Sequence, residues 1–384
     1  MKIALMATGL LLGGAEKQVA DLAAGFLARG HEVVLISLTG QCAIALPTSD
    51  KLTRIDLHAR KTPWSLACAI WRLARTLRRL RPDVVHAHMI DANLIARVTR
   101  LLAPMPVLVT SAHSRNEGGR ARMLAYRLTD RLTDLTTNVS DDAVAEFIAR
   151  GAAPARRIVS MPNGIDTERY RPDAAARAAL RETLIRDTAQ PLPTVDAPIV
   201  FAAGRLVEAK DYPTLISAFA RVQQAMPDAR LYIAGEGPLR DALQAQIDAQ
   251  SLTQAITLLG RRDDIATWMA AADVYAMSSA WEGLPLVIGE AMASGLPVVS
   301  TDCGGVQELV GAVSENTLVP IGDANALGEG LVHALTLPTQ TRTRLGADNR
   351  ERIVAQYSLD AIVTRWLGIY ARLAAQGNAS QSMS

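Results

Sequence analysis

The 384-residue sequence is poor in cysteine and aromatic residues and has no unbroken apolar run of membrane length. Its three cysteines, Cys42, Cys68 and Cys303, lie far apart, are odd in number and form no C-x-x-C pair. That argues against a disulfide framework or a cysteine-based zinc site, and a reducing compartment fits. Aromatics make up only 4% of the chain, too few near its basic segments for a base-stacking nucleic-acid platform. Every long apolar stretch is broken by charge, Gly or Pro before about 18 residues, which argues against a spanning helix. There is no D-x-D and no H-E-x-x-H, so neither of these metal-binding patterns is present.

What is present is globular. Hydrophobic residues make up 49% and charged residues 20%, and the length suits two domains. The net charge of +2 conceals an asymmetry. Residues 1–195 hold 27 Lys and Arg against 18 Asp and Glu, whereas residues 196–384 hold 13 against 20. The two halves are therefore expected to meet different partners, the basic one facing something anionic. Lys2 followed by the apolar run Ile3–Leu12 has the outline of a secretory signal. A buried first strand, Ile3–Thr8, running into a glycine turn is the better reading, because a helix with a clean polar face begins directly afterwards.

Short β-rich runs alternate with amphipathic helices, which predicts parallel α/β architecture. The first half offers strands at Ile3–Thr8, Glu32–Leu38, Asp83–His88, Val107–Thr110, Leu135–Val139 and Ile158–Met161. Between them, Leu66, Ile70, Leu73, Leu77 and Leu80 form a helical stripe with Arg72, Arg75 and Arg79 opposite. A second series begins at Ile199–Ala203 and continues through Arg230–Ala234, Ile256–Leu259, Val274–Met277, Pro297–Ser300 and Leu318–Val319. The expected organisation is a doubly wound, Rossmann-like domain at 1–187, a proline-rich linker at 188–197 and a second doubly wound domain at 198–357. A helix at 358–376 is free to cross back to the first domain, and a polar tail at 377–384 is expected to be disordered.

Several constellations could carry chemistry. Gly9 to Glu16, with Gly13 and Gly14, joins a strand to a helix, where free N–H groups and the helix dipole favour anions. Its G-x-x-x-G-G spacing departs from the dinucleotide fingerprint, and no acidic residue ends the second strand, which disfavours a nicotinamide dehydrogenase. Gly204-Arg205-Leu206 with Lys210 follows the first strand of the second series. An arginine fork and a lysine point charge there could neutralise a diphosphate without metal, or could be solvated surface charges. Glu282-Gly283-Leu284-Pro285-Leu286-Val287 leads into a helix carrying Glu290. Two acceptor-only carboxylates suit a sugar or ribose diol, while a lone pair of acids is ordinarily a helix-capping or surface feature. His86 and His88 alternate on a strand near Asp91, a period-two pair that reads as core or wall rather than metal site. Two basic clusters remain: Arg72, Arg75, Arg78, Arg79 and Arg81 read as a solvated helix face. Arg115, Arg120, Arg122, Arg127 and Arg131 suit an anionic acceptor or membrane surface.

Taken in order, these residues resemble the bacterial retaining glycosyltransferases of family 4. The resemblance runs through Gly13-Gly14-Ala15-Glu16, His86-Ala87-His88, Pro162-Asn163-Gly164-Ile165-Asp166 and Gly204-Arg205-Leu206 with Lys210. It continues with Gly235-Glu236-Gly237-Pro238, the Glu282/Glu290 pair and Gly304-Gly305. It implies the GT-B fold, two Rossmann-like domains facing across a cleft, and transfer of a hexosyl or N-acetylhexosaminyl group from a nucleotide-diphosphate sugar. UDP is the favoured nucleotide, and the acceptor would be a saccharide, lipid-linked, in surface polysaccharide synthesis. By the same resemblance Arg205 and Lys210 would hold the diphosphate, Glu290 the ribose, and Glu282 with the backbone from Gly283 to Val287 the transferred sugar. Gly13 and Gly14 would approach the phosphate, His113 would stand near the donor sugar, and the backbone at Gly260-Arg261 would meet the base. No metal or cofactor is implied, nor any nucleic-acid partner. The protein would be cytoplasmic, with peripheral contact at the inner face of an anionic membrane. The alternatives on the same architecture are a nucleotide-sugar epimerase and a non-catalytic nucleotide-sugar binding protein.

Overall fold

The computed structural model describes residues 1–11, 13–114, 118–186, 192–311, 313 and 315–381. The chain divides into two compact units, residues 1–164 with 359–384, and residues 165–358.

The first unit opens with β1 (Lys2–Ala7), α1 (Gly14–Ala28), β2 (Glu32–Ser37), β3 (Leu52–Asp56), α2 (Pro63–Leu80) and β4 (Val84–His88). It continues with α3 (Ile90–Thr99), β5 (Val107–Ser111), α4 (Arg120–Thr129), β6 (Leu135–Asn138), α5 (Asp141–Ala149) and β7 (Ile158–Ser160). The strands form one parallel sheet in the order β3-β2-β1-β4-β5-β6-β7, so the winding reverses between β1 and β4. Strand periodicity sorts β1 cleanly. Ile3, Leu5 and Ala7 enter the cluster that contains α1 residues, whereas Ala4 and Met6 enter the cluster built on α2 and α3. The strand β3 has no counterpart in the sequence reading. Its Leu-Thr-Arg-Ile-Asp run is only partly buried, and it joins the sheet edge through backbone pairing with β2.

The second unit contains α6 (Ala174–Ile185), β8 (Ile199–Ala203), α7 (Tyr212–Ala225), β9 (Arg230–Ala234), α8 (Arg240–Ala249) and β10 (Ile256–Gly260). It continues with α9 (Ile265–Ala271), β11 (Val274–Met277), α10 (Leu286–Ala293), β12 (Val298–Thr301), α11 (Val306–Val310), β13 (Thr317–Val319), α12 (Ala324–Thr336) and α13 (Thr339–Tyr357). Its sheet runs β10-β9-β8-β11-β12-β13, again parallel, with the reversal between β8 and β11. The chain then returns to the first unit as α14 (Leu359–Gln381), whose Ile362, Val363, Trp366 and Tyr370 join the α1 side of that unit's core.

Two expected boundaries move. The sequence places residues 165–187 in the first domain, whereas 165–186 belong to the second unit. The cause is electrostatic: Asp273, at the foot of β11, receives Arg181 Nη2 at 2.6 Å and Arg177 Nη2 at 2.7 Å, both from α6. Arg181 also donates to the carbonyls of Ala271, Val195 and Ala197. The proline-rich stretch therefore does not separate the units. Its residues 188–191, like Asp187 before them, lie outside the described ones, and Leu192 is buried with its N–H bonded to Leu184. At the other end, the helix expected to stop at 376 continues through Gln381; residues 382–384 lie outside the described ones.

The Arg181 side chain is 3% exposed and that of Arg177 is 37% exposed. Arg181→Ala would leave Asp273 without its buried partner and should cost about 3 kcal/mol of unfolding free energy in urea titrations. Arg177→Ala should cost under about 1 kcal/mol.

Candidate functional site

In doubly wound sheets ligands bind beyond the carboxyl ends of the strands, where the order reverses. In the second unit that point lies between β8 and β11, and the segments following these strands carry the expected site residues. After β8 the chain makes the turn Gly204-Arg205-Leu206-Val207 and a single 3-10 turn at Glu208–Lys210. Asp211 then takes a left-handed conformation (φ 43°), and its carboxylate accepts from Thr214 Oγ1 at 2.7 Å as α7 begins. After β11 the segment from Ser278 to Pro285 leads into α10.

The two segments meet in an ion pair. Lys210 Nζ lies 2.5 Å from Glu282 Oε1, with the two side chains 19% and 16% exposed. Ser279 Oγ donates to the same oxygen at 2.8 Å. The frame around the pair is backbone: Ala280 N–H donates to Ala209, Ser278 Oγ to the Lys210 carbonyl, and Thr301 Oγ1 to the Ser279 carbonyl. Tyr275 is fully buried, and burial with the fields of Glu290 and Glu282 pushes its phenol well above the usual range. Burial and Glu282 raise Tyr212 likewise, and burial pushes the Cys303 thiol up to about 11. These groups stay protonated around two carboxylates.

Glycine makes the close approach possible. A Cβ at Gly235 would overlap the Gly204 carbonyl oxygen, and one at Gly237 would overlap that of Leu206. The Gly235-Glu236-Gly237 loop thus lies directly on the Gly204–Leu206 turn, with Leu206 N–H bonded to the Glu236 carbonyl at 2.9 Å. At Gly304 (φ 55°) a Cβ would overlap the Glu282 carbonyl, and Gly305 N–H donates to Gly283 at 2.7 Å.

The structure brings Lys210 and Glu282 into contact and buries Glu290, at 5% exposure, in α10. Gly204 and Gly283 shape the two turns, Leu284 and Pro285 are buried beneath them, and Leu286 and Val287 open α10. Arg205 is exposed on its turn and makes no contact with the pair among the described interactions. Arg261, exposed beyond β10, lies 3.7 Å from Asp263. Sequence reasoning missed Ser279, Tyr212 and Tyr275. Tyr212 opens α7 and Tyr275 lies on β11, where no local spacing marks them, whereas Ser279 stands only three residues before Glu282.

Gly13, Gly14 and His113 belong to the first unit. Gly13 caps α1 in extended conformation and Gly14 is its first residue, both exposed. His113 lies just beyond β5, with Nε2 3.1 Å from His88 Nδ1. The next histidine inward, His86, is hydrogen-bonded to Tyr370 OH at 2.6 Å and to Ser111 Oγ at 2.7 Å. His88 Nε2 and Gln18 Nε2 are buried with no hydrogen-bond partner among the described residues, and both residues line a small cavity with His113 and Asn163. Met89 between β4 and α3 has φ 69°, a costly conformation for a side chain of its size, beside this cluster. Burial lowers His113 to about 4, and lowers His86 and His88 well below the ordinary value, so all three are neutral near pH 7. Among the described residues no helix is long and apolar enough to cross a membrane. Arg115 of the second basic cluster lies outside the described residues.

Two outcomes follow. Gly235→Ala should displace the Arg205 turn and lower stability by more than about 2 kcal/mol, measured by denaturant titration. Because the unfolded chain protonates His86, His88 and His113 below about pH 6.5 while the folded chain holds these three neutral, stability should fall as pH drops from 6.5 toward 4. Each group contributes about 1.4 kcal/mol per pH unit, and His113→Gln should reduce that slope by one group's share.

Comparison with known proteins gives a consistent answer. The family model described as Glycosyltransferase Family 4 matches residues 12–169, and the model described as Glycosyl transferases group 1 matches residues 197–336. The lipopolysaccharide core biosynthesis glycosyltransferase LpsE of Rhizobium meliloti is 36% identical over 46% of this chain and half of its own length. The GDP-mannose-dependent alpha-(1-6)-phosphatidylinositol monomannoside mannosyltransferase of Mycobacterium tuberculosis is 30% identical over 71% of each chain. In structure the chain is similar to Anabaena Alr3699/HepE crystallised with UDP, at TM-score 0.82 and 23% identity over 97% of this chain and all of that one. That likeness establishes the fold, two Rossmann-like units of the GT-B type. With both halves matched in order and a 30%-identical relative aligned over 71% of its length, the chain belongs to glycosyltransferase family 4.

Proposed function

We propose that the protein transfers a sugar from a nucleotide-diphosphate donor to a lipid-linked saccharide acceptor in surface polysaccharide synthesis, with retention at the anomeric carbon. The observation that carries this is the Lys210–Glu282 pair at the β8/β11 reversal, framed by the Gly204 turn and the start of α10. Breaking the sugar–phosphate bond leaves negative charge on the diphosphate, so catalysis requires positive groups already oriented toward it. Ser279 donates to Glu282, which in turn holds the Lys210 ammonium, and the two remaining N–H donors of that ammonium are the ones offered to phosphate. Arg205, exposed on the adjacent turn, supplies a planar fork, and the N-terminus of α10 supplies amide dipoles.

Glu290 suits the ribose hydroxyls as an acceptor, with Arg261 and the backbone at Gly260 nearer the base. The charge is met by these groups without a divalent cation. UDP is the favoured nucleotide, the one bound in the Anabaena structure, and GDP-mannose, the donor of the mycobacterial relative, is its competitor. The acceptor attacks the face from which the diphosphate departs, with no carboxylate intermediate. The phosphatidylinositol acceptor of that relative supports a membrane-borne acceptor here, and family membership favours transfer over epimerisation or binding alone.

Thermal-shift screening of UDP- and GDP-sugars should identify one donor that raises the melting temperature. With that donor, Arg205→Ala should lower turnover by about a hundredfold while leaving the melting temperature of the free protein unchanged. EDTA should leave the rate unaltered, and the product's anomeric proton coupling should match that of the donor. A donor screen without any shift, or turnover abolished by EDTA and restored by metal, would refute the reading.

A further inference from the structure

The first sheet has its own reversal, between β1 and β4, and a buried polar group at the carboxyl end of β4 has no role in the transfer described above. His88 is the last residue of that strand and is 1% exposed. Its ring is packed between two other imidazoles, with the centroid of His86 4.0 Å away and that of His113 5.3 Å away. Met89 donates its N–H to the Ser111 carbonyl, which ties the end of β4 to the end of β5. His113, partly exposed, follows two residues later.

The position of one proton decides how these rings are held. A neutral imidazole has one N–H donor and one bare nitrogen. All three rings are neutral near pH 7, because burial disfavours the cation. The 3.1 Å contact between His88 Nδ1 and His113 Nε2 therefore needs a single proton, which either ring can supply.

The other nitrogen of His88 selects between the two. His88 Nε2 and Gln18 Nε2 are buried without a partner among the described residues, and both residues line one cavity of about 10 Å³. That is room for a single water. The Gln18 amide cannot be turned round, since its Oε1 accepts from Gly164 N–H at 2.8 Å and leaves the nitrogen as a donor. A water beside it accepts from Gln18 and has two protons to place. His88 Nε2 takes one, and Asn163 and Thr137, which line the same cavity, carry oxygens for the second. Were His88 Nε2 protonated, both water protons would compete for those oxygens, one of which already bonds Ser111.

We propose that one ordered water bridges Gln18 Nε2 and His88 Nε2, and that it fixes His88 as the Nδ1–H tautomer donating to His113 Nε2. His88 is then a positioning residue. It touches no substrate; it holds the His113 ring and leaves that ring's own proton on Nδ1. The proposal deepens the transfer reading and rests on it for its purpose, since the ring being held is the one expected beside the donor sugar. The tautomers themselves do not depend on that reading.

Two measurements on the wild-type, full-length protein test this without any variant. Long-range proton–nitrogen NMR with isotope-labelled histidine, at about pH 7, should show His88 and His113 both protonated at Nδ1. A crystal structure should show a water within hydrogen-bonding distance of Gln18 Nε2 and His88 Nε2. Turnover gives the third readout, as release of nucleoside diphosphate from the donor with water as the acceptor. His88→Leu should lower it on the order of tenfold while keeping the thermal shift produced by the donor. His88→Asn, whose amide reproduces the Nδ1 donor but not Nε2, should recover most of that loss with His113 still protonated at Nδ1. A cavity without water density, a His88 proton on Nε2, or equal turnover in the Leu and Asn variants overturns the proposal. A donor shift with His88 protonated at Nε2 sinks this inference alone, whereas the expected tautomers with no donor shift sink the transfer reading alone.

Discussion

The ion pair between Lys210 and Glu282 is the constraint around which the second unit is arranged. Each charge sits on the segment after a different strand, β8 or β11, and those strands are neighbours only because the sheet reverses direction there. Removing two charges from water is expensive, and the attraction repays it only with good geometry and further hydrogen bonds. The serine at 279 supplies one such bond, and the Ala280 amide and the Ser278 and Thr301 hydroxyls, donating to the carbonyls of 209, 210 and 279, keep the two segments in register. The glycines at 204, 235, 237 and 304 matter for the same reason: they remove side chains where backbone meets backbone. The result is a cation held ready at the strand ends, with buried, protonated tyrosines behind it.

The first unit solves a different problem with the same sheet. Its buried polar cluster, His86, His88, Ser111, Thr137 and Tyr370, is neutral rather than ionic, because burial makes every imidazolium form costly. Tyr370 arrives on α14 from the far end of the chain, so this network can form only after the second unit has been traversed. Nearby, Arg97 is the exception: fully buried, it spreads its charge over Thr110, Thr136 and the Tyr126 carbonyl, and burial lowers it to about 10. It ties α3 to α4, β5 and β6, the elements that hold the β5 turn where His113 sits.

The units differ in electrostatic character. The whole positive excess lies in the first, and the helices on one side of its sheet present tryptophan, leucine and arginine outward. The second unit is acidic overall, yet the turn after β8 carries the two cations Arg205 and Lys210. A net charge therefore describes a unit's long-range field, while the chemistry of a pocket depends on the few groups that its backbone directs inward.

The alternation of strands and helices was legible because parallel strands buried on both faces read as short apolar runs, and amphipathic helices repeat every three to four residues. The same local signals located the glycine turns and the charged residues from Arg205 to Glu290. The edge strand at 52–56 was not legible, since an edge needs only backbone pairing and carries no apolar signature. Nor was the boundary between units, because proline marks where a chain bends rather than which side it joins. That choice belongs to Asp273 and its two arginines, nearly a hundred residues apart in sequence. Ordered motifs along the chain thus determined the fold class and the chemistry on offer. Which lysine meets which glutamate, which histidines are neutral, and which helix face is left uncovered were settled by tertiary structure, because each depends on distance and desolvation between residues that are remote in sequence.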